Sequence, residues 1–121
     1  EALGAFRNGL SDPGQVLENW VTTEVDPCSW YHITCYGNRD QIVHDLGNSN
    51  LEGTLVPALA NLKRLQYLEL YLNKINGSIP IEFGNLAELV SLDLYNNSLT
   101  GTIPNELSKL TNLKYLCVRL F

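Results

Sequence analysis

Three acids recur at a fixed step: Asp45, Glu69 and Asp93 stand 24 residues apart. Neighbouring strands of a sheet lie roughly 4.8 Å apart, so acids at the same point of successive strands would form a carboxylate ladder. That separation is near the ~5–5.5 Å of a retaining glycosidase pair, and catalysis is one use to weigh. A weak divalent-cation site is a second, and a solvated or partner-facing acidic row is a third. A smooth strand face has no pocket to exclude water, and nothing in the pattern makes one carboxyl an acid and its neighbour a base. No Ser or Cys nucleophile stands with a nearby base either. The pattern therefore favours the third use: no enzyme, no cofactor, no metal.

Cys28 and Cys35 are seven residues apart, with Trp30 and Ile33 between them. A loop that short can close as a disulfide, stabilising by restricting the unfolded chain. The rival is a metal site, but two cysteines and a lone His32 fall short of four ligands. Cys117 is the odd cysteine, at a position that points off the strand face. It reads as a free thiol before an intermolecular disulfide. Two N-x-[ST] sequons, N76-G-S78 and N96-N-S98, offer Asn76 and Asn96 as glycan acceptors at coil edges. With the cysteine pair they favour an extracellular setting.

The elements that would hold these groups follow the same step. L68-E-L-Y-L-N73-K-I-N-G-S-I-P80 returns 24 residues later as L92-D-L-Y-N-N97-S-L-T-G-T-I-P104, and 24 earlier, worn, as H44-D-L-G-N-S49-N-L-E-G-T-L-V56. Gly53, Gly77 and Gly101 keep register, as do Leu46, Leu70 and Leu94, then Leu62, Leu86 and Leu110, then Leu65, Leu89 and Leu113. Repetition at this period marks a solenoid, and the L-x-L-x-x-N-x-L core points to leucine-rich repeats. Alternation in L68-E-L70 and L92-D-L94 puts both leucines on one strand face and the acid on the other. A single coil cannot bury its leucine row, so coils stack and share one core. Asn73 and Asn97 stand where the chain leaves each strand, placed to bond free backbone groups as a ladder. Ser49 in the same slot can do part of that job. In G77-S-I-P80 and G101-T-I-P104 the glycine supplies backbone freedom and the proline fixes the exit direction. The L-x-G-x-I-P pattern resembles the plant-specific class of leucine-rich repeat, which implies a second short strand per coil over residues 42–121. The expected fold is α/β: a right-handed solenoid with a parallel sheet on its concave side.

Residues 1–41 read as a helical cap tied by Cys28 and Cys35, and 42–121 as about three repeats plus a partial last strand without a C-terminal cap. In the cap, Leu3, Phe6 and Leu10 have the spacing of an amphipathic helix. S11-D-P-G14 breaks it, and Val16, Leu17 and Trp20 suggest a second short helix. At 121 residues the chain is one domain. With 8 Lys plus Arg against 13 Asp plus Glu, the net charge is −5 and no basic run exists, which disfavours nucleic acid and anionic membrane. No apolar stretch is long enough to span a bilayer, and E1-A-L-G-A-F lacks the charged and long apolar regions of a signal peptide.

W20…P-C-x-W-x-x-x-x-C is similar to the N-terminal cap of plant leucine-rich-repeat receptor kinases. L10-S-D-P, P27-C-S-W-Y-H-I-T-C35, D45-L-G-N-S-N-L51, L65-Q-Y-L-E-L-Y71 and L86-A-E-L-V-S-L-D-L-Y95 resemble the ectodomain of one subgroup, the somatic embryogenesis receptor-like kinases. These are co-receptors for larger ligand-binding receptors. The resemblance runs from about Ala2 to Leu116. It implies extracellular protein recognition, in the apoplast or on the outer surface of the plasma membrane, in receptor-complex signalling or defence. The partner would be a receptor-kinase ectodomain, with a peptide or small-molecule ligand. This chain would act as a co-receptor-like module, or as a secreted decoy or adaptor. The implied contact residues are Thr23, Val25, Tyr31 and His32 on the cap edge, with Tyr71 and Tyr95 on the inner face. The runner-up is an inhibitor of a pathogen cell-wall enzyme, like the polygalacturonase inhibitors, which usually have adjacent cysteines where this chain has P27-C28. Tyr67, Tyr71, Tyr95 and Tyr115 favour a binding face on their own account, although tyrosines also suit strands and stack between coils.

Three departures from the family pattern stand out. His44 takes an apolar strand position, either as a misfit at the core edge or through a one-residue register slip, and reads as a partly exposed histidine without a task. Phe121 stands 24 beyond Asn97, where the ladder asparagine belongs. The family's repeats continue there, so the chain reads as truncated or as a small secreted relative. Leu113, Leu116, Val118 and Phe121 should then leave an apolar edge, open to self-association or a partner.

Overall fold

The computed structural model describes residues 2–20, 28, 30–36 and 40–121. Among the described residues, one α-helix, α1 (Ala2–Asn8), comes first, and nine short strands follow. These are β1 (Leu10–Ser11), β2 (Ile33–Tyr36), β3 (Asp40–Asp45), β4 (Glu52–Thr54), β5 (Tyr67–Glu69), β6 (Lys74–Gly77), β7 (Ser91–Asp93), β8 (Ser98–Leu99) and β9 (Tyr115–Cys117). They form two sheets, β2-β3-β5-β7-β9 and β1-β4-β6-β8. From β3 onward the first sheet is parallel and in strict 24-residue register: His44 pairs with Leu68, Leu68 with Leu92, Leu92 with Leu116. The L-x-G-x-I-P stretches make the second sheet, where β4, β6 and β8 also run parallel. Gly77 and Gly101 leave it at φ 80° and 83°. Three 3-10 helices, Pro57–Asn61, Ile81–Asn85 and Asn105–Lys109, carry each coil back. Pro80 and Pro104, at φ −64° and −61°, aim the chain into the second and third.

Between the sheets lies one core. Leu46, Leu70, Leu94, Leu65, Leu89, Leu68, Leu92 and Leu86 are fully buried, and Phe6, Leu17 and Trp20 of the cap join the same cluster. The asparagines do what their slot requires. Asn73 Oδ1 accepts the Ser49 and Leu51 amides at 3.1 and 2.9 Å, while its Nδ2 donates to the Leu46 and Leu70 carbonyls at 2.9 and 3.0 Å. Asn97 accepts the Ile75 amide at 2.9 Å and donates to Leu70 and Leu94 at 2.8 and 3.1 Å. The Ser49 hydroxyl, in the same slot, donates to the Gly47 carbonyl within its own coil at 3.1 Å.

Just before each ladder slot is a residue in the left-handed region: Asn48 (φ 52°), Leu72 (φ 55°) and Asn96 (φ 58°). Asparagine tolerates that conformation and leucine does not. Leu72 is also 43% exposed, so its side chain recovers little by burial. Leu72→Asn should raise stability by about 0.5–1 kcal/mol, read as an upward shift of the denaturation midpoint; an unchanged or lower midpoint would refute the strain at this position.

The cap differs from the expected pair of helices. Leu10 is not in the helix: it opens β1, which pairs antiparallel with β4, Leu10 opposite Gly53. Residues 16–19 form turns rather than a second helix. Asp12 explains this, because its two carboxylate oxygens accept the Val16 and Leu17 amides at 3.0 and 2.8 Å and bind the backbone in a non-helical path. Cys28 and Cys35 are disulfide-bonded, their Cα atoms 5.6 Å apart, and Cys117 is a free, exposed thiol.

His44 is neither slipped nor partly exposed. It is completely buried, in register with Leu68 on one side and Ile33 on the other. The register irregularity falls where consecutive Thr34 and Cys35 of β2 pair with Val43 and Gln41 of β3, passing over Ile42, and leaves Val43 to Asp45 aligned with the repeats. At the last coil Leu116 and Phe121 are 40% and 70% exposed, whereas Leu113 and Val118 are half-buried against the core. The Arg119 guanidinium lies 5.4 Å from the centre of the Phe121 ring.

Candidate binding face

Alternation turns one side of the five-stranded sheet into the leucine core and the other outward. Strand pairing aligns the outward residues in columns: Tyr67, Ser91 and Tyr115; Asp45, Glu69, Asp93 and Cys117. The acidic ladder expected from the 24-residue step is therefore present, with a thiol as its fourth rung. Glu69 is held above the usual carboxylate range, first by partial burial and then by the charges of Asp93 and Asp45, against an opposing hydrogen bond from Ser91. Asp93 accepts the Tyr95 amide at 3.2 Å.

Where these strands end, Gly47, Tyr71 and Tyr95 form the next column; the amides of Asn48 and Leu72 donate to the Tyr71 and Tyr95 carbonyls, each at 2.8 Å. Gly47 sits under the Tyr71 ring, so near that an added Cβ would be 2.1 Å from Cζ. The ring thus rests on bare backbone, which any side chain at residue 47 would push away. Tyr71 is half-buried there, while Tyr95 and Tyr115 are 51% and 67% exposed.

The cap edge adjoins this face. Tyr31, 53% exposed, has its amide donating to Asn19 Oδ1 at 2.9 Å and its carbonyl accepting Trp20 Nε1 at 2.8 Å. Trp20 is in turn stacked on Trp30, ring centres 5.5 Å apart. The exposed His32 accepts the amide of Asp45, the first acid of the ladder, at 3.1 Å. Tyr31 and His32 are thereby fixed beside the sheet that carries Tyr71 and Tyr95. Thr23 and Val25 lie outside the described residues. Asn76 is exposed on β6, and Asn96 in the turn after Tyr95.

Sequence reasoning did not single out Asn19, which orients Tyr31, or Gly47 as the seat of Tyr71. Gly47 had a visible signal, a side-chain-free position in an aromatic column. Asn19 had none, because its partner is twelve residues away in an irregular segment.

Comparison with known proteins decides the family. The leucine rich repeat N-terminal domain model matches residues 1–36, and the leucine rich repeat model matches residues 64–86 and 88–110. The chain is a leucine-rich-repeat protein. Leucine-rich repeat protein 2 of Arabidopsis thaliana is 56% identical over 71 residues, covering 59% of this chain. The chain spans about a third (33%) of the length of the curated relatives it matches. Among solved structures, the BIR3–SERK2 complex from Arabidopsis thaliana superposes with a TM-score of 0.88 at 29% identity, over 97% of this chain and 65% of that one. The Arabidopsis receptor kinase HAESA in complex with the peptide hormone IDA and the co-receptor SERK1 gives 0.84 at 39% identity, over 95% of this chain and 20% of that one. This leucine-rich-repeat chain thus has the fold of plant receptor-kinase ectodomains, a protein-recognition architecture. No helix among its described residues is long and apolar enough to cross a membrane.

Proposed function

We propose that this chain is an extracellular recognition module of the co-receptor kind, or a secreted decoy or adaptor, in plant receptor-kinase signalling or defence. Residues 1–41 act as the cap and 42–121 as the repeats. The partner is a leucine-rich-repeat receptor-kinase ectodomain, with or without a small ligand, and the contact residues are Thr23, Val25, Tyr31, His32, Tyr71 and Tyr95. Asn76 and Asn96 carry glycans in an apoplastic or outer-surface setting. No step of this function is catalytic: the carboxylates stand in a row on one sheet face and serve as contacts.

The observation that carries this reading is the join between cap edge and sheet. The His32 carbonyl bonds to the Asp45 amide, so Tyr31 and the tyrosine–carboxylate face form one continuous surface. Exposed tyrosines on a rigid support are favoured interface anchors because they bury much area for little lost side-chain entropy. Tyr31→Ala and Tyr71→Ala should each weaken binding to a receptor ectodomain by about tenfold or more, roughly 1.4–2 kcal/mol, with an unchanged denaturation midpoint. Surface plasmon resonance against a panel of such ectodomains reads this directly; equal affinity of both variants and the parent would remove the assignment. A polygalacturonase assay run beside it separates the runner-up: inhibition without receptor binding would replace the co-receptor reading.

A further inference from the structure

His44 is the one buried ionisable side chain among the described core residues, and it sits at a mechanical seam. Its strand β3 pairs antiparallel with β2 of the cap and parallel with β5 of the repeats, so His44 is flanked by Ile33 and Leu68. Neither ring nitrogen has a hydrogen-bond partner. A neutral imidazole left without partners in an apolar core is tolerated at some loss of stability, but an imidazolium there is far worse.

Among the described residues, no compensating charge faces the ring from the strands packed against it. On β5, Tyr67 and Glu69 flank Leu68 in sequence and so project from the opposite side of the sheet, as does Asp45 on β3 itself. On β2, Cys35 is committed to the disulfide, and His32 just before the strand is exposed. In the cap, Arg7 Nε donates to the Leu17 carbonyl and Asp12 holds the Val16 and Leu17 amides. Burial accordingly lowers the His44 pKa from 6.5 to about 4.

We propose that the seam between cap and repeats is an acid-sensitive latch, closed while His44 is neutral and released when it takes up a proton. Protonation favours whichever state gives the ring access to water. The smallest such opening parts β2 from β3, breaking the bond from the Asp45 amide to the His32 carbonyl. The stacked coils behind stay paired through their own ladder. The sign is fixed by the lowered pKa: the open state binds the proton better, so opening is favoured as pH falls from 6.5 toward 4. Glu69 cannot produce the same trend. Its raised pKa makes the folded state take up a proton more readily than the unfolded one, which favours folding in acid.

The test is amide hydrogen exchange by NMR at pH 7 and pH 4.5, corrected for the intrinsic chemical rate. It needs no binding partner. The opening equilibrium at the Asp45 amide should rise on the order of tens-fold at the lower pH. The Leu70 and Leu94 amides, bonded to Asp93 and Cys117, should change less than about twofold. His44→Leu should abolish the pH dependence, and His44→Gln should open the seam equally at both pH values. If neither variant folds, the imidazole signals of the unaltered chain decide: a ring neutral down to about pH 4 supports the latch, and ordinary titration near 6.5 overturns it. Undiminished pH dependence in His44→Leu, or simultaneous opening at Leu94, would overturn it equally.

Discussion

Asn73→Ala is expected to destabilise the chain by about 3–5 kcal/mol. The side chain is 8% exposed and bonds five backbone groups drawn from two coils. Alanine fills none of those bonds. The buried amide of Leu51 and the buried carbonyl of Leu46 would lose these bonds, while the Leu70 carbonyl keeps the one from Asn97 Nδ2 at 2.8 Å, and each orphaned group costs roughly 1–3 kcal/mol. Asn73→Asp keeps the acceptor but turns a carboxylate toward carbonyl oxygens, so it should not rescue. Asn97→Ala should cost less, because Asn97 holds one amide, Ile75, rather than two. Guanidinium denaturation monitored by circular dichroism gives these differences; a loss below about 1 kcal/mol for Asn73→Ala would mean that water takes over the ladder without penalty.

That ladder was readable beforehand, because everything it needs recurs at one step. Leu68 and Leu92, Asn73 and Asn97, Gly77 and Gly101 each hold the same place in consecutive coils, and stacking converts a sequence interval into a spatial column. The cap has no such internal reference. Leu10 has helical spacing from Leu3 and Phe6, but its strand pairing with Gly53 lies 43 positions away and outweighs local propensity. Val16 and Leu17 follow the Asp12 carboxylate instead of their own apolar pattern. His44 could be placed at an apolar position from the step alone; its complete burial could not, since β2 covers it from a hairpin that no repeat announces. In the candidate face, the aligned tyrosines and acids came from the period. The tether from Trp20 and Asn19 to Tyr31 came only with the fold.

Gly53→Ala is the second substitution with a large expected effect, about 2–4 kcal/mol. Gly53 has φ 151°, and a Cβ there would lie 2.3 Å from the Gly9 carbonyl oxygen and 2.9 Å from Leu10 Cδ2. Backbone cannot swing aside as a side-chain end can, so β1 would be driven off β4. The comparison is Gly101→Ala, where φ is 83° but the nearest atom, Ser78 Cβ, is 3.4 Å away. Conformational strain without a clash should cost about 1–2 kcal/mol there. In Gly53→Ala the loss should concentrate at the cap, seen as faster exchange of the strand amides of Leu10 and Ser11 than of those in β7. Equal stability of the two alanine variants would show that the approach of Gly9 imposes no constraint.

The uniform offset between coils makes this molecule a ruler with a fixed graduation. In the first sheet β3, β5, β7 and β9 meet at a constant 24 residues and in the second β4, β6 and β8 at a constant 22, so splicing in one whole unit between β5 and β7 would preserve all existing alignments. It would lengthen the exposed surface by one inter-strand spacing, roughly 4.8 Å. The antiparallel β2 is different in kind, since a strand of that direction offers no parallel template for another turn. Reach toward a partner can therefore be tuned in discrete increments inside the stack or on the β9 side, while the cap end stays a fixed origin.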